Sequence, residues 1–277
     1  MLETILKIAR RPTRAWLPYK GGTRLCGVAE ALTRRYSKDV IINDFDGDLR
    51  FSCSLSRHMG AQIFWRGSYS GEQLAVLGPL LNEKSVFFDI GANQGEFTVF
   101  AAKRCAQVYA FEPVPENMER LQRNVQLNAF VNVVALQKGL SDVEGSLPIF
   151  STADGCNEGI PTLYRTEEKS RSIGTIGLTT VDTFVKANGI ARVDVLKVDV
   201  EGAELAILKG AQETIETHRP TMLLEFNADT CSAAGYTIGH LVDWLTSRGY
   251  KLQLITRKGL FQVAEFPGFC NVLATPA

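Results

Sequence analysis

From residue 86 onward, short runs dense in Val, Ile, Leu and Phe alternate with helix-length amphipathic segments. Five runs read as strands: VFFDI, VYAFEP, VNVVALQ, VDVLKVDV and PTMLLEF. Their apolar positions are continuous rather than alternating, which is the pattern of strands covered on both faces of a parallel sheet. Between them, ENMERLQRNVQLNA sets Met118, Leu121, Val125 and Leu127 on roughly one helical face, and AELAILKGAQETIE does the same with Leu205, Ile207, Leu208 and Ala211. Near the C-terminus, YKLQLITRKGLFQV and CNVLATPA are punctuated by Lys258-Gly259 and Pro267-Gly268 with no helical pattern between them. That predicts an antiparallel hairpin added to the parallel sheet.

The texture upstream is different. Residues 1–36 read as helical in two amphipathic pieces, LETILKIARR, ended by Pro12, and VAEALTRRYS. KDVIINDFDGDLRFSCSL predicts a hairpin turning at Asp46-Gly47, and SGEQLAVLGPLL is a third helical stretch leading to the first strand run. The chain is therefore read as residues 1–70, a helical and hairpin extension serving as a cap or as a substrate or oligomer contact, and residues 71–277, the main α/β domain. Residues 143–180 show little periodicity, so DGCNEGIPTLYRTEEKSRSIG reads as an irregular loop, either a lid or surface ornament.

Composition adds bounds. A chain of 277 residues with 45% hydrophobic content is ample for one large core. Six cysteines, at 26, 53, 105, 156, 231 and 270, form no C-x-x-C pair and read as free thiols of a reducing compartment. No run approaches the roughly 18 to 20 apolar residues of a membrane span, and there is no secretory apolar region, so the protein reads as cytoplasmic. Net charge is zero, yet residues 1–39 hold nine Lys or Arg against three acids. A solvated helical face is the plainer reading of that asymmetry, peripheral contact with an anionic membrane surface the alternative, and an Arg-rich transit peptide a third. No basic, aromatic-interleaved strand pattern points to nucleic acid.

The chemistry gathers at two strand ends. VFFDIGANQGEF passes from a buried run into a glycine turn carrying Asp89, Gly91, Asn93 and Gly95, and the next strand ends in Glu112, 23 residues after Asp89. Open parallel sheets bind ligands at such carboxyl ends, and an acid at that second position suits the hydroxyls of a ribose. The G-x-G-x-x-G dinucleotide spacing is absent, and an acid in the turn opposes a pyrophosphate. A nucleoside cofactor with an amino acid tail and a sulfonium, S-adenosylmethionine, tolerates that carboxylate. Ser141-Asp142 adds a polar pair after the third strand.

The second cluster is LKVDVEGAEL. Period-two alternation puts Lys197 and Asp199 on one strand face, with Glu201 and Glu204 at the following turn, where so many ionisable groups require partners. A structural Lys197–acid pair, with Glu204 as a dipole-favoured first-turn acid, is the bland alternative. Asp199, Glu201 and Glu225 could also supply hard oxygen ligands to a divalent ion of the Mg²⁺ type, at no fixed spacing. Of three histidines, His58 stands out, followed by Trp65 and Tyr69 as aromatic candidates for a substrate wall.

DIGANQG and LKVDVEGAE together resemble the FkbM family of S-adenosylmethionine-dependent methyltransferases, over roughly residues 64–227. The resemblance implies a class I Rossmann-like methyltransferase fold, with a mostly parallel seven-stranded sheet, and O-methylation of sugar, glycan or natural-product hydroxyls. It marks Asp89, Gly91, Asn93, Gly95, Glu112 and Asp142 as cofactor contacts, and Lys197, Asp199, Glu201 and Glu204 as facing the reaction. Asp199 is the first choice of general base and Glu201 the second. An N-methyltransferase, a nicotinamide-dependent oxidoreductase and a non-catalytic nucleoside-binding module are the alternatives.

Overall fold

The computed structural model describes residues 2–16, 22–151 and 171–277 and divides the chain into two units, residues 1–71 with 122–129, and residues 72–121 with 130–277. Most of the segment read as an irregular loop, residues 152–170, and Cys156 with it, lies outside the described residues.

The N-terminal unit contains α1 (Leu2–Trp16), α2 (Gly22–Thr33), the antiparallel pair β1 (Asp39–Phe45) and β2 (Leu49–Ser54), and α3 (His58–Arg66). Asp46 and Gly47 take φ of 46° and 93°, the left-handed geometry that an Asp-Gly turn tolerates best. Pro12 does not end α1, contrary to the sequence expectation. A proline deletes one backbone donor at a cost of about 3 kcal/mol, a local loss that the rest of a 15-residue helix absorbs. Leu6 and Arg10 of α1 and Cys26 of α2 are buried, and the Arg10 guanidinium donates to Asp44 at 2.6 Å and to the Phe64 carbonyl.

The second unit runs α4 (Gly71–Leu77), a 3-10 turn, β3 (Val86–Ile90), α5 (Glu96–Ala102), β4 (Gln107–Phe111), α6 (Pro115–Leu127), β5 (Val133–Leu136), β6 (Gly139–Leu140), β7 (Gly145–Ser151) and β8 (Arg171–Thr179). It continues through α7 (Val181–Ala187), β9 (Val195–Val198), α8 (Glu204–Lys209), α9 (Gln212–His218), β10 (Thr221–Asn227), α10 (Ala228–Ala233), α11 (Ile238–Thr246), β11 (Tyr250–Thr256), β12 (Gly259–Phe261) and β13 (Phe269–Pro276). The last turns of α6 cluster with the N-terminal unit, a membership that a single linear boundary does not contain.

The main sheet has the order β12-β11-β13-β10-β9-β3-β4-β5. Strands β10, β9, β3, β4 and β5 are mutually parallel, whereas β13 pairs antiparallel with both β10 and β11. The five strand runs and the terminal hairpin of the sequence reading are all present, with the three-residue β12 as an eighth strand at the edge. Because the chain winds outward from β3 in both directions, the topological switch point lies between β3 and β9.

Two elements depart from the sequence pattern. The helix read over AELAILKGAQETIE is broken into α8 and α9 at Gly210, where a Cβ would lie 2.0 Å from the Ser141 carbonyl oxygen; the close backbone approach, not propensity, sets the break. The flanks of the 143–180 segment are β7 and β8, an antiparallel pair that joins β6 in a separate three-stranded sheet. Ile149, Ile176 and Leu178 give that sheet its own small core.

The main core is continuous from β3 through β13. Phe88, Phe111 and Phe184 meet with ring centroids 5.0 to 6.0 Å apart, filling the space between the sheet and α7. Tilted and edge-on aromatic contacts of this kind add to the stabilisation from buried area alone.

Candidate active site

Strand register assembles the site. Asp89 is level with Lys197 across β3 and β9, Lys197 is level with Leu223 across β9 and β10, and Glu225 is level with Asn271 across β10 and β13. Side chains alternate between sheet faces, so Asp89, Lys197, Asp199, Leu223, Glu225 and Asn271 fall on one face, at the carboxyl ends of the parallel strands. On that face Gln73, Phe97, Lys197, Asp199, Leu223, Glu225, Ile255 and Asn271 line a small recess open to solvent.

Lys197 is the hub. Its Nζ donates to the Gly91 carbonyl at 2.7 Å, lies 3.6 Å from Asp89 Oδ1 and 3.4 Å from Asp199 Oδ2, and sits 5.2 Å from the centre of the Phe97 ring. Burial disfavours the ammonium, but Asp199 and Asp89 outweigh it and raise the Lys197 pKa. The Asp89 pKa is raised as well, above the usual carboxylate range, which favours its neutral form, because burial exceeds the help from Lys197 and from the Thr98 hydroxyl, which donates at 2.6 Å. These two charge states conflict for one ion pair. The charged Lys197 is the firmer of them, since it has two carboxylates and a carbonyl acceptor.

Asp89 was expected at the mouth of the glycine turn; it is instead fully buried, and it supports the turn through Thr98 and Lys197. The turn itself is left-handed at Gly91 (φ 77°), Asn93 (φ 51°) and Gly95 (φ 89°). A Cβ on Gly91 would stand 1.9 Å from the Asp199 carbonyl oxygen, so only glycine lets the ends of β3 and β9 approach this closely. Glu112 closes the turn from β4: Oε2 accepts the Asn93 amide and Oε1 the Val114 amide, both at 2.8 Å. Burial raises its pKa against those bonds. Oε1 also accepts the Asn117 side-chain amide at 3.5 Å, so the spare acceptor capacity lies on Oε2, and Lys197, whose charge acts on Glu112, is already committed to carboxylates. That chemistry fits a nucleoside bearing an amino acid better than a pyrophosphate.

Ser141 and Asp142, at the end of β6, pair with each other and with the small sheet. The Ser141 amide donates to Thr179 of the small sheet at 3.0 Å and its hydroxyl pairs with Asp142 at 3.1 Å. Glu204, expected among the reacting groups, is buried: its carboxylate accepts the amides of Val200 and Gly202 and the Tyr236 hydroxyl at 2.8 Å. Burial raises its pKa despite these donors. It therefore holds the turn in which Glu201 adopts φ 56° and Gly202 φ 104°. Tyr236, which also lies 3.0 Å from the Gly202 carbonyl, carries no local sequence signal.

Within the recess Glu225 is pushed up to about 9 by burial and by Asp199, Glu201 and Glu204, against the pull of Lys197. That shift favours its protonated form at neutral pH. A raised folded-state pKa contributes stability that is complete below the unfolded value, here near 4.5, and is lost as pH rises toward the folded one. Glu225→Gln is therefore expected to leave thermal stability unchanged at about pH 4 and to raise it progressively up to about pH 9. Melting temperatures across that range check this, and an equal shift at every pH would contradict it.

Trp65 is a packing residue, 2% exposed with its indole N–H given to Thr33 at 3.1 Å, not the substrate wall expected of it. His58 and Tyr69 are exposed on the N-terminal unit and pair edge-on with centroids 5.8 Å apart. Among the described residues no group of three or more His, Cys, Asp or Glu is placed to hold a metal ion, so Asp199, Glu201 and Glu225 are not gathered as the divalent-ion ligand set suggested by their chemistry. Among the described residues, five cysteines are free thiols and no helix is long and apolar enough to cross a membrane.

Comparison with known proteins places this geometry. Methyltransferase sdnD of Sordaria araneosa is 36% identical over 154 residues, covering 45% of this chain and 60% of that protein. Hexuronic acid methyltransferase AglP of Haloferax volcanii is 31% identical over 151 residues, covering 53% and 59%. The match thus spans about 60% of the length of these curated relatives. A crystal structure of methyltransferase FkbM from Methylobacillus flagellatus KT superposes with a TM-score of 0.44 at 20% identity, covering 70% of this chain and 43% of that one. Residues 89–252, from the buried acid of the glycine turn to β11, match the family described as the methyltransferase FkbM domain, and the chain belongs to that family.

Proposed function

We propose that this chain transfers the methyl group of S-adenosylmethionine to a hydroxyl of a sugar, glycan or natural-product acceptor. The observation that carries the reading is Asp199: it is held by Lys197 at 3.4 Å, its side chain keeps 34% exposure, and it opens onto a recess with hydrogen-bonding walls. The likeness to a hexuronic acid methyltransferase favours a sugar acceptor.

When bound, the cofactor supplies the electrophilic methyl, so the chain's task is to position an oxygen and take its proton. The Gly91–Gly95 turn and Glu112 would hold the nucleoside end. Asp199 accepts the hydroxyl proton, Lys197 fixes that carboxylate, and Glu225, Asn271 and Gln73 hydrogen-bond neighbouring hydroxyls across the recess.

Titration calorimetry with S-adenosylmethionine, S-adenosylhomocysteine, NAD and NADP tests the cofactor. Only the two adenosyl ligands are expected to bind, and Glu112→Ala to weaken both at least about tenfold, the scale of a lost hydrogen bond to a charged group, with an unchanged circular dichroism spectrum. Binding of a nicotinamide ligand instead would sink the assignment. Release of S-adenosylhomocysteine in the presence of hexuronic acid glycosides then tests the acceptor class.

A further inference from the structure

The N-terminal unit carries a surface that methyl transfer does not explain. On α1, Ile5 and Ile8 are 54% and 63% exposed, one turn apart on the same side, opposite the buried Leu6 and Arg10. On α2, Leu25, Val28 and Leu32 follow at helical spacing with exposures of 43%, 58% and 79%. Isolated exposed apolar residues are ordinary; five on two adjoining helices, each in a stripe, form an outward apolar surface.

The surrounding charge is of one sign. All three carboxylates of residues 1–39 are neutralised within the unit: Glu3 by Lys7 at 2.7 Å, Glu30 by Arg66 at 2.7 Å and Asp39 by Arg123 at 2.9 Å. Arg24, Arg34, Arg35 and Lys38 remain exposed around the same helices. Apolar stripes bordered by uncompensated cations match the acyl and headgroup layers of an anionic bilayer. The amphipathic helix is also longer than LETILKIARR, since α1 runs past Pro12 to Trp16.

We propose that α1 and α2 form a peripheral docking surface for an anionic membrane. The apolar stripes insert at the headgroup boundary while the arginines and Lys38 engage lipid phosphates. No spanning segment is involved, and the surface is independent of the reading of the catalytic recess.

Flotation of the full chain with vesicles of phosphatidylcholine alone, and of phosphatidylcholine mixed with phosphatidylglycerol, tests this. The chain is expected to float with the mixed vesicles only, and raised salt to release it. Ile8→Asp with Leu32→Asp is expected to weaken binding at least about tenfold by placing charge in the apolar layer, and Arg34→Gln with Arg35→Gln to weaken it several-fold. Both positions pairs are exposed, so melting temperatures should match the parent. Equal binding to both vesicle types, no binding to either, or undiminished binding by the Asp variant would each overturn the proposal. So would a dimer seen by sedimentation that the Asp variant dissociates while vesicles fail to bind, since that would make the surface a contact between copies.

Discussion

Replacing Lys197 with methionine is expected to destabilise the folded chain by about 3 kcal/mol, the lower end of what breaking a buried ion pair costs. Methionine matches the stem in length and apolar character, so packing is nearly conserved and the change isolates the charge. Two buried acceptors lose their cation: Asp89 Oδ1, which has no hydrogen-bond donor, and the Gly91 carbonyl, which loses its 2.7 Å bond. Asp199 is less affected because water reaches it.

The pH dependence distinguishes this account from a simple packing defect. Without the ammonium, Asp89 can remain buried only if protonated, so its folded-state pKa, already above the usual carboxylate value of 3.8, rises further. The stability of the variant is then complete below the unfolded value and falls as pH rises, so the deficit is expected to be larger at about pH 8 than at about pH 5. Urea unfolding at the two pH values measures it. Adding Asp89→Asn should recover part of the loss; a variant equal to the parent at both pH values would show that the cluster contributes nothing.

Asp199→Asn is expected to lower the rate of methyl transfer by about 10² to 10⁴, the usual contribution of a general base, while leaving S-adenosylhomocysteine affinity within a few-fold. Asparagine keeps the shape and a contact to Lys197 but cannot take a proton. A variant that loses cofactor binding along with rate would place Asp199 in the binding of the nucleoside instead, and the role of base would pass to Glu201.

The strands, the terminal hairpin and the family were legible in sequence because their signals are local. A continuous apolar run excludes a half-solvated strand, Asp46-Gly47 accepts left-handed backbone, and the glycines of the β3–α5 turn announce a tight bend. The same local logic erred where a distant contact decided the outcome. Gly210 breaks a continuous helical pattern because the Ser141 carbonyl lies against it, and β7 and β8 make strands of a weakly periodic segment by pairing with each other.

Alternation along one strand put Lys197 and Asp199 together from sequence alone, but it could not say what faces them. Asp89 arrives from β3, Glu225 from β10 and Asn271 from β13, brought level by strand order and register, while Tyr236 comes from the α10–α11 loop to occupy Glu204. By itself the sequence determined the strands of the main sheet, the tight turn after β3 and which residues carry charge, since those follow from short-range sterics and hydration. Only the tertiary structure decided which charges meet, that Asp89 and Glu204 are buried supports, and that the Glu225 pKa is pushed up, because Coulomb and burial energies depend on distances that strand pairing sets between residues far apart in the chain.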